Sequence, residues 1–219
     1  QLSGLGPIDA AELRGICDDL GLEICATHVG IEYILNDTAA CIAQHEAYGC
    51  RHVAIGGLPG DLRSAEGYPK FVGMANEAAA KLGAAGMTFS YHNHSFELQR
   101  YGDRTALALL IEETDPSVGF EIDTYWIQHG GGDPAAWIEK VSSRCPLIHY
   151  KDMQMSGSSQ KFSAIGEGNL NWERINAAVR ASVAEWVIVE QDSCELPPTD
   201  PFESLAVSFG NLVAMGWSA

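Results

Sequence analysis

The chain has 219 residues and a formal net charge of −16, from 13 basic and 29 acidic side chains. Binding to a phosphate backbone requires clustered lysine and arginine, so this charge argues against a nucleic-acid partner and, less firmly, against a highly phosphorylated substrate. No apolar stretch approaches the roughly 20 residues that span a bilayer, and no signal-peptide pattern opens the chain. The sequence therefore predicts a soluble, cytoplasmic protein with no membrane partner.

Six cysteines are scattered along the chain and form no C-x-x-C pair. A chain of this length does not need disulfide bonds to hold a core together. We therefore expect reduced, mostly buried thiols and no catalytic cysteine.

An apolar strand followed by an amphipathic helix recurs along the chain. The predicted strands, in chain order, are Leu22–Thr27, His52–Ile55, Met87–Tyr91, Val118–Ile122, Leu147–Tyr150 and Glu185–Val189. The predicted helices are Asp9–Leu20, Asp37–Tyr48, Arg63–Leu82, Thr105–Glu113, Pro134–Val141, Trp172–Val183 and Pro201–Met215. Strands that are apolar on both faces and alternate with helices indicate a parallel sheet buried on both sides. The segment Met153–Gly168, rich in serine and glycine, is predicted to be a long loop and a candidate lid.

The number of repeats indicates the fold class. If the opening Gln1–Ser3 is the end of a further strand, the chain holds seven βα units, whereas a closed (β/α)8 barrel has eight and typically about 250 residues. The sequence therefore predicts one α/β domain over residues 1–219. This domain is a (β/α)8 TIM barrel that begins within its second strand and lacks the first βα unit. A seven-unit or open barrel is the alternative.

Polar side chains gather where the later strands end. In parallel barrels the active site lies at the carboxyl ends of the strands, and residues two apart on a strand share a face. The pairs that could point together into the mouth are His92 with His94, Glu121 with Asp123, His149 with Lys151, and Glu190 with Asp192. Histidines and carboxylates that converge at one place fit a divalent-metal site. A functional role is favoured for Asp123, His149 and Glu190.

Other polar residues have simpler interpretations. His52 is expected to be structural, and His45 and His129 are expected on the surface of helices or loops. The three histidines are therefore not assigned to the site. Either Glu121 or Asp123 could form an ion pair with Lys151.

The strand-end segments resemble the xylose isomerase-like TIM barrels, also called the sugar phosphate isomerase/epimerase family. The resemblance covers essentially the whole chain and rests on the segments Tyr91–Glu97, Phe120–Asp123, His149–Asp152, Gly166–Gly168 and Val189–Asp192. It implies metal ligands on the last four strands, here Asp123, His149 and Glu190. It also implies a divalent ion as cofactor, with Mn, Co, Mg or Zn as candidates.

The sequence departs from the family pattern at the fifth strand of the expected eight. The family's fourth ligand is normally a glutamate in a Glu-x-His arrangement, where this chain has His92-Asn93-His94. The departure argues against symmetric epimerisation by two metal-binding glutamates and looks more like the inosose dehydratase branch. We predict His92 as the fourth ligand, with Glu97 as the alternative.

The resemblance and the strand-end residues together predict a metal-dependent isomerase or epimerase acting on a sugar, keto-sugar or cyclitol. The metal would stabilise the enediolate that forms when the carbon beside the carbonyl loses its proton. Glu190 or His94 is the candidate base, and Lys151 could neutralise the developing charge. Asp152 is expected to orient Lys151 or His149.

Three further residues are expected to line the substrate pocket. His28 ends a strand, Trp126 could stack on an apolar sugar face, and Glu167 lies in the long loop. Packing between helices is an equally good interpretation of Trp126.

Several alternatives stay open. Proton abstraction followed by loss of a β-hydroxyl would make the protein a dehydratase or another lyase, of inosose dehydratase-like or keto-glycoside-cleaving type. An endonuclease IV-like nuclease would need more metal ligands, and a non-catalytic binding protein is the remaining class. No glycine-rich nucleotide loop is present, so no nucleotide cofactor is predicted. The resemblance makes a homodimer possible.

Overall fold

The predicted alternation of strands and helices is present in the computed structural model, which describes residues 1–218. The chain forms two compact units. The first contains Gln1–His92 and Arg100–Glu121, and the second contains Asn93–Gln99 and the residues from Ile122 onward. A single domain over residues 1–219 stays a prediction.

The first unit consists of a parallel sheet with flanking helices. Its helices are α1 (Ala10–Asp19), α2 (Ile31–Asn36), α3 (Thr38–Tyr48), α4 (Gly67–Gly83) and α5 (Ala106–Glu113). Its strands are β1 (Thr27–His28), β2 (His52–Ile55), β3 (Thr88–His92), β4 (Arg100–Tyr101), β5 (Arg104–Thr105) and β6 (Val118–Asp123). The last two residues of β6 belong to the second unit. The parallel strands follow the order β1-β2-β3-β6, while β4 and β5 form an antiparallel pair. Leu2 adds one parallel bridge to Thr27, as expected of a strand end.

Two expectations for the first unit are wrong. The strand predicted over Leu22–Thr27 is reduced to Thr27–His28, because its pairing partner β2 begins only at His52. His45, expected on the surface, is fully buried within α3. Its Nε2 lies 2.6 Å from the Thr27 hydroxyl, and its Nδ1 lies 2.7 Å from the carbonyl oxygen of Cys41. The polar ring is accepted in the core because both of its nitrogens have hydrogen-bond partners.

Burial of His45 predicts an acid-sensitive fold. Burial lowers the pKa of His45, against a weaker opposing effect of the hydrogen bond to Cys41, so the folded protein binds a proton here less readily than the unfolded chain does. The free energy of unfolding should therefore fall as the pH drops below about 6.5, by at most about 1.4 kcal/mol per pH unit for one histidine. Urea denaturation between pH 5 and 8 measures this slope. His45→Gln should flatten it, while the exposed control His129→Gln should leave it unchanged.

The second unit continues the alternation. Its helices are α6 (Thr124–His129), α7 (Pro134–Lys140), α8 (Trp172–Arg180) and α9 (Pro201–Ala214), and its strands are β7 (Leu147–Tyr150), β8 (Asp152–Ser156), β9 (Ser159–Ser163) and β10 (Trp186–Val189). Here β7 lies between the end of β6 and β10, and it pairs in parallel with β10 from Leu147–Trp186 to Tyr150–Val189. Asp133, Asn171 and Asp200 cap the helices that follow them, each accepting a backbone N–H of the first turn with its side-chain oxygen.

The segment predicted as a long loop is a β-hairpin over much of its length. Strands β8 and β9 pair antiparallel from Asp152–Ser163 to Ser156–Ser159. The two residues between them include Gly157, whose φ of 62° is the left-handed conformation that a tight hairpin turn requires. A lid-forming loop over Met153–Gly168 is therefore corrected to a hairpin followed by a shorter loop.

Within residues 1–218, no helix is both long enough and apolar enough to cross a membrane.

Candidate metal centre

Asp123 is the last residue of β6 and caps the helix that follows. Its Oδ1 accepts the backbone N–H of Trp126 at 2.8 Å, and its own N–H donates to Oδ1 of Asn93 at 3.1 Å. The carboxylate is fully buried. These bonds fix the side chain and leave Oδ2 directed at the neighbouring strand ends.

His149 and Glu190 meet Asp123 in the second unit. His149 lies on β7, and its Nδ1 is 2.8 Å from Oε2 of Glu190 and 3.9 Å from Oδ2 of Asp123. Glu190 directly follows β10, and its N–H donates to the carbonyl oxygen of Tyr150. One ligand atom from each of these three residues lies within 4.8 Å of the others. The structure thus brings together the three residues that the sequence favoured.

Lys151 approaches the same carboxylates. Its Nζ lies 2.7 Å from Oδ1 of Asp192, 3.0 Å from Oε2 of Glu190 and 3.7 Å from Oδ2 of Asp123. Burial alone would lower the pKa of Lys151, but the nearby carboxylates more than offset this effect and raise it above the ordinary value. The side chain is therefore a buried ammonium. Of the two carboxylates that the sequence suggested as partners of Lys151, Asp123 is the one found near it, and Glu121 binds His28.

Aromatic rings border the Lys151 ammonium. Nζ lies 5.3 Å from the ring centre of Trp126 and 5.2 Å from that of Phe162 on β9. Tyr125 packs against Phe162 at 4.4 Å. Trp126 is partly buried and contacts the ring of His94 at 5.3 Å. The β8–β9 hairpin thus places Phe162, like Trp126, beside the Lys151 ammonium.

His94 and Glu97 belong to the short segment after β3. The ring of His94 is partly exposed and stacks on Phe96 at 5.5 Å. Glu97 is fully buried, and its Oε2 accepts the backbone N–H of His94 at 2.9 Å. Glu97 thus organises the loop that carries His94.

His92 and His28 lie in the first unit. His92 is the last residue of β3, buried, and in register with Glu121 of β6. Nε2 of His28 is 2.6 Å from Oε2 of Glu121, whose Oε1 accepts a hydrogen bond from Gln1 at 2.7 Å. The rings of His28 and His92 are 5.2 Å apart. Glu121 is thus held by Gln1 and His28.

Asp152 does not orient Lys151 or His149 as expected. It is fully buried, and its carboxylate accepts hydrogen bonds from the N–H groups of Met153, Gly166, Gly168 and Leu170 and from the indole of Trp172. Burial raises the pKa of Asp152, and these hydrogen bonds only partly oppose the rise. Glu167, between the two glycines, is exposed and accepts a hydrogen bond from Asn211 at 2.9 Å. Asp152 therefore fixes the loop that carries Glu167.

Gly168→Ala should destabilise the protein by about 1–3 kcal/mol, because overpacking a filled site forces its neighbours to move. A Cβ at Gly168 would lie 2.3 Å from Oδ1 of Asp152 and 2.6 Å from the carbonyl oxygen of Met153. Gly210→Ala, in the exposed face of α9 with open space around it, is the matched control and should stabilise by up to about 1 kcal/mol. Thermal unfolding of both variants checks the difference. Equal melting temperatures would contradict the assignment of Asp152 as the anchor of this loop.

Sequence reasoning missed two residues of the site. Thr124 lies between the strand ends, where its hydroxyl donates to the carbonyl oxygen of Lys151 at 2.9 Å. Phe162 was missed because the segment that carries it was predicted to be a loop. The Gly157-Ser158 pair between alternating residues was the signal for a hairpin that would have revealed it.

The donor set suits a divalent ion. One imidazole and two carboxylates are ligands that Mn, Zn or Mg accept at roughly 2.0–2.2 Å, which places neighbouring ligand atoms about 3 Å apart. The 2.8 Å separation between His149 and Glu190 fits that spacing. A metal held by Asp123, His149 and Glu190 is compatible with the residues present.

The family of xylose isomerase-like TIM barrels matches residues 1–207, and this chain belongs to it. The resemblance and the fold class stated from sequence are thereby confirmed. No curated protein matches the chain.

Solved structures show the same fold. A sugar phosphate isomerase/epimerase from Parabacteroides distasonis is 24% identical with a TM-score of 0.80, over 94% of this chain and 76% of that one. The probable 3-DHS dehydratase AsbF from Bacillus anthracis is 13% identical with a TM-score of 0.68, over 94% and 81%. An AP endonuclease, family 2, from Brucella melitensis is 19% identical with a TM-score of 0.61, over 87% and 81%. At these identities the likeness establishes the fold alone.

Proposed function

We propose that this protein is a divalent-metal-dependent isomerase or epimerase that acts on a sugar, keto-sugar or cyclitol by removing a proton beside a carbonyl. The observation that carries the proposal is the convergence of Asp123, His149 and Glu190 to within 4.8 Å at the ends of strands. The family and its structural relatives named as a sugar phosphate isomerase/epimerase and a dehydratase support sugar-directed enzymatic chemistry.

His92 is the proposed fourth ligand. It pairs in register with Glu121, which precedes Asp123 by two residues on the same strand. The residue after His92, Asn93, holds the backbone N–H of Asp123. Glu97, whose Oε2 accepts the backbone N–H of His94 at 2.9 Å, stays the alternative ligand.

The bound ion would supply Lewis-acid polarisation of adjacent substrate oxygens. Proton abstraction is assigned to His94 or Glu190, since a histidine or carboxylate near the substrate is a suitable general base. Lys151 would donate a hydrogen bond to the substrate oxygen on which negative charge develops. Trp126 and Phe162 would offer apolar faces to the C–H side of a ring.

A dehydratase or other lyase is the second candidate. Histidine rather than glutamate at position 92 favours it, because the symmetric arrangement of two metal-binding glutamates is absent from this strand end. The AP endonuclease relative brings a nuclease into consideration, but the net charge of −16 argues against a phosphate-backbone substrate. A non-catalytic binding protein stays the remaining alternative. The cytoplasmic location and the homodimer also stay predictions.

Metal analysis combined with deuterium exchange tests the proposal. Protein treated with chelator should regain about one Mn or Co per chain and, with that metal, exchange a substrate C–H for deuterium in D₂O, because abstraction precedes isomerisation, epimerisation and dehydration alike. A panel of ketoses, inososes and keto-glycosides identifies the substrate class, and the product separates an isomerase from a dehydratase. Protein that binds no divalent ion at this site would overturn the proposal.

A further inference from the structure

Lys151 competes with a metal for the same oxygens. Its Nζ lies 3.0 Å from Oε2 of Glu190 and 3.7 Å from Oδ2 of Asp123. These are also the oxygens that face Nδ1 of His149, at 2.8 Å and 3.9 Å. A divalent ion bound to these oxygens would repel the lysine ammonium and weaken its contacts with them.

Asp192 differs from the other two carboxylates. It makes the shortest contact with Lys151, at 2.7 Å, and its side chain is the most exposed of the three, at 41% against 32% for Glu190 and 0% for Asp123. The group of candidate ligands found among residues 1–218 contains Asp123, His149 and Glu190 but not Asp192. Asp192 is therefore placed to bind the lysine without binding the metal.

We propose that Asp192 is a positioning residue that retains the Lys151 ammonium when a divalent ion takes Glu190 and Asp123 from it. This inference rests on the proposed function, since it requires the metal. In the metal-free protein the lysine neutralises the carboxylate cluster, and in the loaded protein it turns to Asp192 and the substrate oxygen. Trp126 and Phe162, with ring centres 5.3 Å and 5.2 Å from Nζ, keep the ammonium in place through both states.

The requirement for Asp192 follows from burial. Only 2% of the Lys151 side chain is exposed, so water cannot solvate the ammonium after its carboxylate partners are taken. A doubly charged ion a few ångströms away adds repulsion. The remaining anion, Asp192, offsets both effects, so it should strengthen metal binding indirectly, through Lys151.

A double-mutant cycle on Mn²⁺ affinity tests this indirect action. The full chain is titrated calorimetrically with Mn²⁺ alone. Lys151→Met should bind Mn²⁺ roughly tenfold more tightly, because the competing ammonium is gone. Asp192→Asn should bind Mn²⁺ roughly tenfold more weakly, in line with the coupling of close charge pairs. In the Lys151→Met background, Asp192→Asn should have little effect. Asp192→Glu should restore most of the lost affinity.

The possible outcomes separate the two proposals. Equal weakening by Asp192→Asn in both backgrounds would make Asp192 a direct ligand or a general electrostatic contributor, and it would overturn the inference while leaving the metal site intact. Wild-type protein that binds no Mn²⁺ would overturn the proposed function and the inference together. If Lys151→Met does not fold, Lys151→Gln replaces it. The contrast between Asp192→Asn and Asp192→Glu is measurable without either lysine variant, and equal affinities for those two would also contradict the inference.

Discussion

Asp123→Asn is expected to abolish metal binding and turnover while the protein stays folded. The amide oxygen can still accept the Trp126 N–H that Oδ1 accepts, so the start of α6 keeps its cap. The amide nitrogen replaces Oδ2, the anionic oxygen that faces His149 and Lys151. Loss of Mn²⁺ affinity by at least about 100-fold is expected, since even outer partners of metal ligands are worth 10–100-fold.

Two further variants accompany Asp123→Asn: one at a second proposed ligand and one control outside the site. Glu190→Gln should lose metal and activity in the same way. Asp133→Asn, a helix cap on α7 with the same bond to a backbone N–H but outside the site, should change neither. Metal analysis, turnover and thermal unfolding are measured on all three. Full metal content and activity in Asp123→Asn would exclude this carboxylate from the ligand set.

His94→Ala is expected to keep the metal and lose proton exchange. Its ring stacks on Phe96 and contacts Trp126, while only its backbone N–H binds Glu97, so truncation leaves that loop contact in place. Removing a general base typically lowers the rate by about 10²- to 10⁴-fold. The exchange rate of the substrate α-proton in D₂O is the readout, with Mn²⁺ affinity measured alongside.

His129→Ala is the control for His94, because His129 is an exposed histidine of the same unit that stacks on Tyr125. Its exchange rate and metal affinity should match those of the wild type. Undiminished exchange in His94→Ala would contradict a basic role for His94 and move that role to Glu190. Loss of metal in the same variant would instead place His94 in the ligand set.

Strands buried on both faces were predictable from the sequence. The bounds of β2 and β7 are those expected, because short and mostly apolar runs with polar residues on both sides leave little choice of boundary. β1 was not predictable, since its length depends on where its partner β2 begins. The hairpin of β8 and β9 was missed because its residues are mostly polar and only the turn at Gly157 marks it.

The proximity of the three candidate ligands was predictable from the topology. Residues at the carboxyl ends of parallel strands gather at one place, and Asp123, His149 and Glu190 do so here. The partners of individual charges were not predictable, because they depend on side-chain geometry across distant positions. The sequence did not indicate that Glu121 binds His28, and Asp152 binds a glycine loop rather than the site.

A crystal grown with Mn²⁺, with anomalous scattering recorded near the manganese absorption edge, tests the central claim most directly. We predict one strong anomalous peak within about 2.0–2.3 Å of a ligand atom from each of Asp123, His149 and Glu190, the range usual for such ligands. A structure in which these three side chains remain bound only to one another and to Lys151, with manganese absent or located elsewhere, would contradict the account.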